Sequence, residues 1–448
     1  MSERKTFLHY IIPSIGATMV TALYVVVDGI FVGRGVGPQA LAAINLSYPY
    51  ITILFAASAM LAMGGAAITA INFGRGNSKA ANRSFAVTFK LVIYFTILIS
   101  AISVAFAEFF AELMGANAAL LADTATYIRY YTLFSSFYCL AMLLAVFVRN
   151  DANPRLSLWG MLIGAIANVF FDWLFIFPLN MGLMGAAIAS GLGQILSVFV
   201  LLSHFWRKRG LLRFNKTSLS FAITKDICKV GFPEFISQMS LAVTIFCYNL
   251  IVLKYYGEVG VSAFGVVCYL LEIVIAVFLG VSQGSQPLLS RRYGAKDVLG
   301  EKHYLKMAFT ANLLLSVITY LLMLVFGRSI IFIFNPDPTL INLGYKFFCY
   351  YGFSFIFASV NIVFTTYFLA TKRTGRSIII AVLRSLFLNA LLAFLFPLLL
   401  GKAAIWLGIS ATEIIVMLIA VILYKLPPSK LQHNKKRRVS SSEPLLVK

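Results

Sequence analysis

The sequence predicts an all-α membrane protein with twelve transmembrane helices in two pseudo-symmetric six-helix bundles. Three observations support this fold class. Of the 448 residues, 60% are hydrophobic and 12% are charged, and the mean hydropathy is +0.89, which is more apolar surface than a soluble protein can bury. Apolar stretches of roughly 20 residues recur along the whole chain. The second half of the chain also repeats the first.

Hydropathy divides the chain into twelve predicted spans. The fourth and the tenth have the least clear boundaries. In order, the predicted spans are 7–33, 43–73, 85–107, 126–148, 156–177, 184–205, 228–253, 260–289, 304–326, 341–369, 377–398 and 403–424.

The internal repeat has an offset of about 220 residues. Because an even number of spans precedes the copy, both bundles should enter the membrane in the same orientation, related by an axis along the membrane normal. We therefore expect a first bundle at 1–206, a cytoplasmic linker at 207–227, a second bundle at 228–425 and a basic, disordered tail at 426–448. Residues paired by the repeat include Pro13 and Pro233, Gly37 and Gly257, Gly74 and Gly294, and Asn168 and Asn389.

The net charge of +21 follows the predicted topology of the chain. Lys and Arg collect in alternate loops, around 75–83, 149–155, 207–216, 291–296 and 372–376. This alternation is the positive-inside pattern and predicts that both termini are cytoplasmic. The excess of Lys and Arg over Asp and Glu therefore indicates contact with anionic lipid headgroups, and nucleic acid is not expected as a partner.

Other chemistries find little support in the sequence. The five cysteines have no paired spacing, so packing explains them better than metal or redox chemistry. The glycine-rich turns follow membrane helices and lack the Gly-Lys-Ser/Thr of a nucleotide loop. A membrane enzyme remains an alternative, but the sequence shows no catalytic constellation for it. We expect neither an enzymatic activity nor a cofactor.

Carboxylates inside membrane spans are the strongest functional candidates, because a charge there is costly. Asp28 lies in the first span, about one turn after Tyr24, and Asp172 lies in the fifth. Asn168 precedes Asp172 by one helical turn, so both side chains share one helix face. These oxygens suit a proton or a dehydrated cation such as Na⁺. The alternative is that both acids only form interhelical hydrogen bonds for packing.

The repeat places no acid at the corresponding positions of the second half, where Asp28 falls on Tyr248 and Asp172 on Ala393. The fold therefore does not require either acid. Glu272 and Glu234 are the remaining acids assigned to spans, and with Gln283 and Gln194 they form the candidate substrate-binding set. Three cations near predicted span ends are expected to snorkel to the interface: Arg129, Arg384 and Lys90.

Three segments together resemble the MATE (multidrug and toxic compound extrusion) transporters. They are VVDGIFVGRGVG around Asp28, the stretch 153–190, and SQGSQPLLSRRYGA at 282–295. The resemblance covers nearly the whole chain and is greatest to the bacterial MepA-type branch, next to the DinF-like group.

This resemblance implies a V-shaped twelve-helix exporter that exchanges H⁺ or Na⁺ for cationic, amphipathic drugs. In DinF-like members the ion site uses an Asp in the first helix and an Asn-x-x-x-Asp pair in the fifth, and Asp28, Asn168 and Asp172 match those positions. Tyr24 also matches a tyrosine of that site. NorM-like members instead carry acids in the seventh and tenth helices, where this chain has Leu241 and Asn361, so a second-bundle site of that kind is not expected.

The sequence thus predicts a monomeric secondary antiporter of a bacterial cytoplasmic membrane. A lipid-linked oligosaccharide flippase of the same superfamily is the main alternative. It would line its cavity with Arg and Lys, and the spans offer few deep cations.

Overall fold

Helices form every regular element in the residues that the computed structural model describes, 2–334 and 337–427. A π-helical turn (Leu383–Phe387) precedes the helix Leu388–Leu400, and a 3₁₀ turn (Lys402–Ala404) precedes the helix Ile405–Lys425. The helices are α1 (Glu3–Gly35), α2 (Pro38–Gly74), α3 (Ser78–Ala105), α4 (Ala107–Leu113), α5 (Leu121–Leu133), α6 (Ser135–Asn150), α7 (Pro154–Ile176), α8 (Gly182–Trp206), α9 (Phe221–Gly294), α10 (Val298–Phe334), α11 (Pro338–Gly352), α12 (Ser354–Ala370), α13 (Thr374–Val382), α14 (Leu388–Leu400) and α15 (Ile405–Lys425).

The structure confirms an all-helical membrane protein. Within the described ranges, nine stretches are long and apolar enough to cross a membrane as single helices. Two helix pairs, α5 with α6 and α11 with α12, satisfy the same test together and bend by 47° and 46°. They coincide with the fourth and tenth predicted spans, whose limits were the least clear. The predicted span 377–398 is the interrupted stretch from α13 through the π-helical turn to α14.

The bend between α5 and α6 has a packing cause. The α5 helix ends at Leu133, and the ring of Phe134 lies directly over Gly191 of α8. A Cβ atom at position 191 would lie 2.2 Å from Cγ of Phe134, so only glycine leaves room for this ring. The aromatic side chain therefore sits where the two helix segments change direction.

Two glycines at equivalent positions of the repeat turn the chain between spans. Gly37 separates α1 from α2 with φ of +118°, and Gly257 breaks α9 into Phe221–Gly257 and Val259–Gly294 with φ of +66°. Such values are readily accessible to glycine alone. The repeat is therefore visible in backbone conformation as well as in residue identity. The α9 helix begins at Phe221, inside the predicted linker, while residues 428–448 of the predicted tail lie outside the described residues.

Helices from the two halves of the chain touch along α2 and α9. A Cβ atom at Gly231 would lie 1.8 Å from the carbonyl oxygen of Met60, and one at Gly294 would lie 2.1 Å from that of Ile71. The start of α1 also packs into the second half, where Phe7 stacks on Tyr304 at 6.5 Å. The halves thus meet closely at the end of the molecule that carries the basic loops.

Candidate functional site

The α7 helix carries the Asn-x-x-x-Asp pair into the protein interior. It begins at Pro154, directly after Asn153, whose side chain accepts a hydrogen bond from the amide of Leu156. The side chains of Asn168 and Asp172 point inward together and are only 1% and 0% exposed. Membrane lipid therefore does not reach either group.

Two glycines bring α8 against α7 at the level of this pair. A Cβ atom at Gly193 would lie 2.6 Å from the carbonyl oxygen of Gly164 and 3.0 Å from Cβ of Asn168. Small residues at such a crossing let two backbones approach closely. The close approach places Ser190 of α8, which is 3% exposed, beside the amide of Asn168.

The α1 helix supplies the remaining two predicted residues. The carboxyl groups of Asp28 and Asp172 lie close to each other. Tyr24 donates a hydrogen bond to Ser190 Oγ at 3.3 Å, and Asn168 Nδ2 donates to the same oxygen at 3.4 Å. All four predicted coupling residues therefore gather at one place, and Ser190 links two of them.

The oxygen atoms of this cluster accept few hydrogen bonds. Within the described part of the chain, no group donates to Asp28 Oδ1, Asn168 Oδ1 or either carboxyl oxygen of Asp172. Two carboxylates close together have only acceptor atoms, and each such atom is costly to bury without a donor. A shared proton or a small cation with oxygen ligands would satisfy this set. The residues present therefore fit H⁺ or Na⁺.

Aromatic side chains surround the two carboxyl groups. Tyr127, which is 4% exposed, lies near both Asp28 and Asp172. Its ring centre lies 5.5 Å from that of Tyr131, which in turn lies 6.2 Å from that of Tyr138. These rings shield the cluster from lipid while keeping phenol hydroxyls close to it.

A small cavity adjoins the cluster between α1, α6, α7 and α8. Gln194, predicted to bind substrate, is 7% exposed and lines this cavity together with Tyr24 and Tyr138. Its amide therefore lies inside the first half, next to the acidic cluster, rather than on the face of the second half.

The equivalent site of the second half is neutral and internally bonded. Tyr248 donates a hydrogen bond to Asn389 Oδ1 at 3.2 Å, and Asn389 Nδ2 donates to Thr244 Oγ1 at 3.0 Å. Ala393 is fully buried where the repeat has Asp172 in the first half. The copy thus satisfies its polar groups without an added ion, in contrast to the first half.

The other predicted substrate residues lie apart from one another. Glu272 lies near Tyr48 of α2 and Tyr138 of α6, so it is on the side of the first half. Glu234 accepts a hydrogen bond at 3.2 Å from Gln238, one turn later on the same helix. Gln283 accepts at 3.1 Å from Arg149 Nη2, which ties it to a cation at the end of α6.

Sequence reasoning missed one intramembrane acid and explained its partner wrongly. Glu413 of α15 is 7% exposed and accepts hydrogen bonds from Arg384 Nε at 2.6 Å and from Asn361 Nδ2 at 2.7 Å. Arg384 was expected to snorkel, but the carboxylate holds it inside. Glu413 is an acid within the predicted span 403–424, and that signal could have identified it. Ser190 was also missed, and no sequence pattern marks it.

Comparisons with known proteins agree with the fold and the repeat. The MatE family model matches twice, at residues 13–174 and 233–395, with the offset that the internal repeat predicts. The chain is 24% identical over 426 residues to the multidrug export protein MepA of Staphylococcus haemolyticus, covering 94% of this chain and 93% of that protein. It is 23% identical over 438 residues to MepA of Staphylococcus saprophyticus, covering 96% and 95%.

Solved structures show the same fold. A MATE transporter in complex with MaL6 superimposes with a TM-score of 0.89 at 20% identity, covering 94% of this chain and 96% of that one. The outward-facing conformation of a multidrug resistance MATE family transporter gives a TM-score of 0.89 at 20% identity, covering 94% and 95%. With the family model matched over most of the chain, this protein belongs to the MATE family of membrane transporters and is not an enzyme.

Proposed function

We propose that the protein is a secondary active multidrug exporter that exchanges inward-moving H⁺ or Na⁺ for outward-moving cationic, amphipathic drugs. The observation that carries this proposal is the convergence of Asp28, Asn168 and Asp172 on one point, where Asn168 and Asp172 are buried and Asp28 Oδ1, Asn168 Oδ1 and both oxygens of Asp172 lack a hydrogen-bond donor among the described residues. The curated relatives named as multidrug export proteins support the drug-export part of the proposal.

Coupling follows from differential affinity of the site for the ion in two conformations. A proton or cation at the two carboxyl groups removes the repulsion between them and favours the packing of α1 against α7. Loss of the ion favours the alternative arrangement of the two bundles, in which drug is bound. The neutral cluster of Tyr248 and Asn389 takes no part in this exchange, so one bundle carries the coupling chemistry.

Drug recognition is assigned to the face between the halves. Glu272 offers a carboxylate there, and Tyr48 and Tyr138 offer aromatic rings that suit organic cations. Glu234 with Gln238 is a second polar position, on the segment of α9 that precedes Gly257. Gln194 lines the small cavity beside the coupling cluster, and Gln283 is bonded to Arg149 at the end where the halves meet.

The proposed location is the cytoplasmic membrane of a bacterium. Both termini lie in the cytoplasm according to the distribution of Lys and Arg among the loops, and the transporter acts as a monomer. The end of the molecule where α2 and α9 touch is then the cytoplasmic end.

A transport assay with separately imposed ion gradients tests the proposal. Purified protein in proteoliposomes should move ethidium when a pH gradient or a Na⁺ gradient alone is applied, and the effective gradient identifies the ion. Asp28→Asn and Asp172→Asn should each lower gradient-driven transport at least about tenfold, because each removes a charge that must change with the ion.

Glu112→Gln is the matched control, since this exposed acid lies in the first half away from the site. It should leave transport unchanged. Gradient-driven efflux that survives in both aspartate variants at normal expression would overturn the coupling assignment.

The flippase alternative makes a different prediction for the same assay. Pyrophosphate recognition needs free cations in the cavity, whereas Arg384 is paired with Glu413. Translocation of a lipid-linked oligosaccharide with no drug transport would favour that alternative. Chemical conversion of lipids in a lipid extract by the purified protein would favour a membrane enzyme.

A further inference from the structure

The segment that joins the two halves has the composition of a membrane-surface element. This linker strap, residues 207–220, connects α8 to α9. It carries five cations, Arg207, Lys208, Arg209, Arg213 and Lys216, and no acid. Large apolar side chains within it are also exposed: Leu211 by 60%, Phe214 by 44% and Leu219 by 46%. Exposed rings and cations in one short segment are typical of the region where lipid headgroups meet acyl chains.

The linker strap is fixed against α3 rather than loosely tethered. The amide of Arg213 donates to Asn82 Oδ1 at 2.7 Å, and Lys90 Nζ donates to the carbonyl oxygen of Thr217 at 2.7 Å. The ring of Phe214 lies 4.9 Å from that of Phe89. These contacts span more than two turns of α3, so the surface between the strap and the helix is already formed.

A cavity of about 230 Å³ lies between the linker strap and α3. Its walls are mainly apolar, from Phe89, Ile93, Tyr94 and Phe214, and its polar groups are the ammonium of Lys90 and the amide of Asn215. An ammonium has three donors, and the bond to Thr217 uses one of them. The cavity therefore combines an apolar wall with one cationic lining residue, Lys90.

We propose that this cavity binds one anionic phospholipid, with part of an acyl chain or its glycerol region against Phe89, Ile93 and Phe214 and the phosphate beside Lys90. The charge of the occupant follows from the cations of the strap, none of which has an acidic neighbour in the strap itself. The occupant should also have an apolar part, because aromatic side chains are exposed here on a protein that spans a membrane. The bound lipid holds the connection between the two halves against the first of them.

Native mass spectrometry of the purified full chain tests the proposal. The protein is titrated with phosphatidylglycerol or with phosphatidylcholine of the same acyl chains. Wild-type protein should retain one phosphatidylglycerol in clear preference to phosphatidylcholine. Lys90→Gln should weaken the phosphatidylglycerol adduct about fivefold, the usual effect of one cation near a charged headgroup, while Lys90→Arg should retain it.

Lys79→Gln is the matched control, because it removes an exposed cation from the same helix away from the cavity. Ile93→Trp tests the apolar wall and should weaken binding of both lipids. Equal retention of the two lipids by wild type, or equal loss in the Lys79 and Lys90 variants, would overturn the proposal. So would an adduct that forms as readily with soluble glycerol phosphate, since that result would indicate a phosphate site without a lipid.

Discussion

At the scale of single residues, the two halves treat buried acids in opposite ways. Asp28 and Asp172 lie close together, and Asp28 Oδ1 and both oxygens of Asp172 lack donors from the described residues, while Glu413 is neutralised by Arg384 and held by Asn361. An acid that is ion-paired with an arginine stays ionised. An acid without a cationic partner can instead take up a proton or bind a cation. The position of one arginine therefore separates the ion-paired Glu413 from the two aspartates that are proposed to couple transport to an ion.

The ion pair of the second half makes a stability prediction. Arg384→Met should lower the free energy of unfolding by about 3 kcal/mol, because it leaves the carboxylate of Glu413 buried without a compensating charge. Denaturant titration of the purified protein in mixed micelles measures this loss.

A second substitution distinguishes the charge effect from lost packing. Adding Glu413→Gln to Arg384→Met should restore most of the stability, because glutamine is neutral and still accepts a hydrogen bond from Asn361. A double variant as unstable as the single one would mean that packing of the arginine, and not its charge, matters.

At the scale of the elements, glycines decide how closely helices approach. Gly231 in the first segment of α9 lies against the backbone of α2, whereas Gly265 in the second segment has open space where a side chain would be. Both are helical glycines, so their intrinsic helix propensities are equal. Any difference between substitutions at these positions must come from the contact between helices.

Gly231→Ala should destabilise the protein by about 1–3 kcal/mol, because the new methyl group collides with the carbonyl oxygen of Met60. Gly265→Ala is the control and should be neutral or slightly stabilising. Unfolding midpoints of the two variants, measured side by side in one detergent, give the comparison. Equal effects at the two positions would contradict the proposed close contact of α2 and α9.

At the scale of the whole molecule, polar contacts join the halves where the basic loops lie. Arg149 Nη2 donates to Gln283, Asn150 Nδ2 donates to Gln286 at 3.3 Å, and Arg291 donates to the carbonyl oxygen of Asn150. The residues of α6 belong to the first half and those of α9 to the second. These bonds must break if the halves separate at this end during transport.

Replacing Gln283 and Gln286 together by leucine should therefore favour the conformation that is open at this end. Each lost hydrogen bond contributes about 1 kcal/mol, so the ratio of open to closed molecules should rise at least about fivefold. Spin labels at positions 79 and 302, in a background without native cysteines, report the population by their distance distribution.

Ser285→Ala serves as the control for that measurement, because the one hydrogen bond of its hydroxyl to a described residue goes to the carbonyl oxygen of Ser282 on its own helix. It should leave the distance distribution as in wild type. An unchanged distribution in the double leucine variant would show that these contacts do not hold the closed state.

Composition and periodicity determined the class of this protein without any structure. An apolar chain of this length has to lie in lipid, and the paired positions Gly37 and Gly257 mark a duplication that the backbone repeats. Helical spacing alone placed Asn168 and Asp172 on one face. The free-energy cost of burying a charge in the membrane singled out Asp28, because a carboxylate in a span is rare enough to be informative by itself.

Tertiary structure decided which of these groups meet. The contacts of Ser190 with Tyr24 and Asn168 depend on the crossing of α8 with α7, which follows from two glycines facing each other and not from any local pattern. The same holds for Arg384, which pairs with Glu413 from another helix. A sequence shows which polar groups are unfavourable in lipid. The partner that compensates each of them comes from a distant helix, and only packing determines which helix that is.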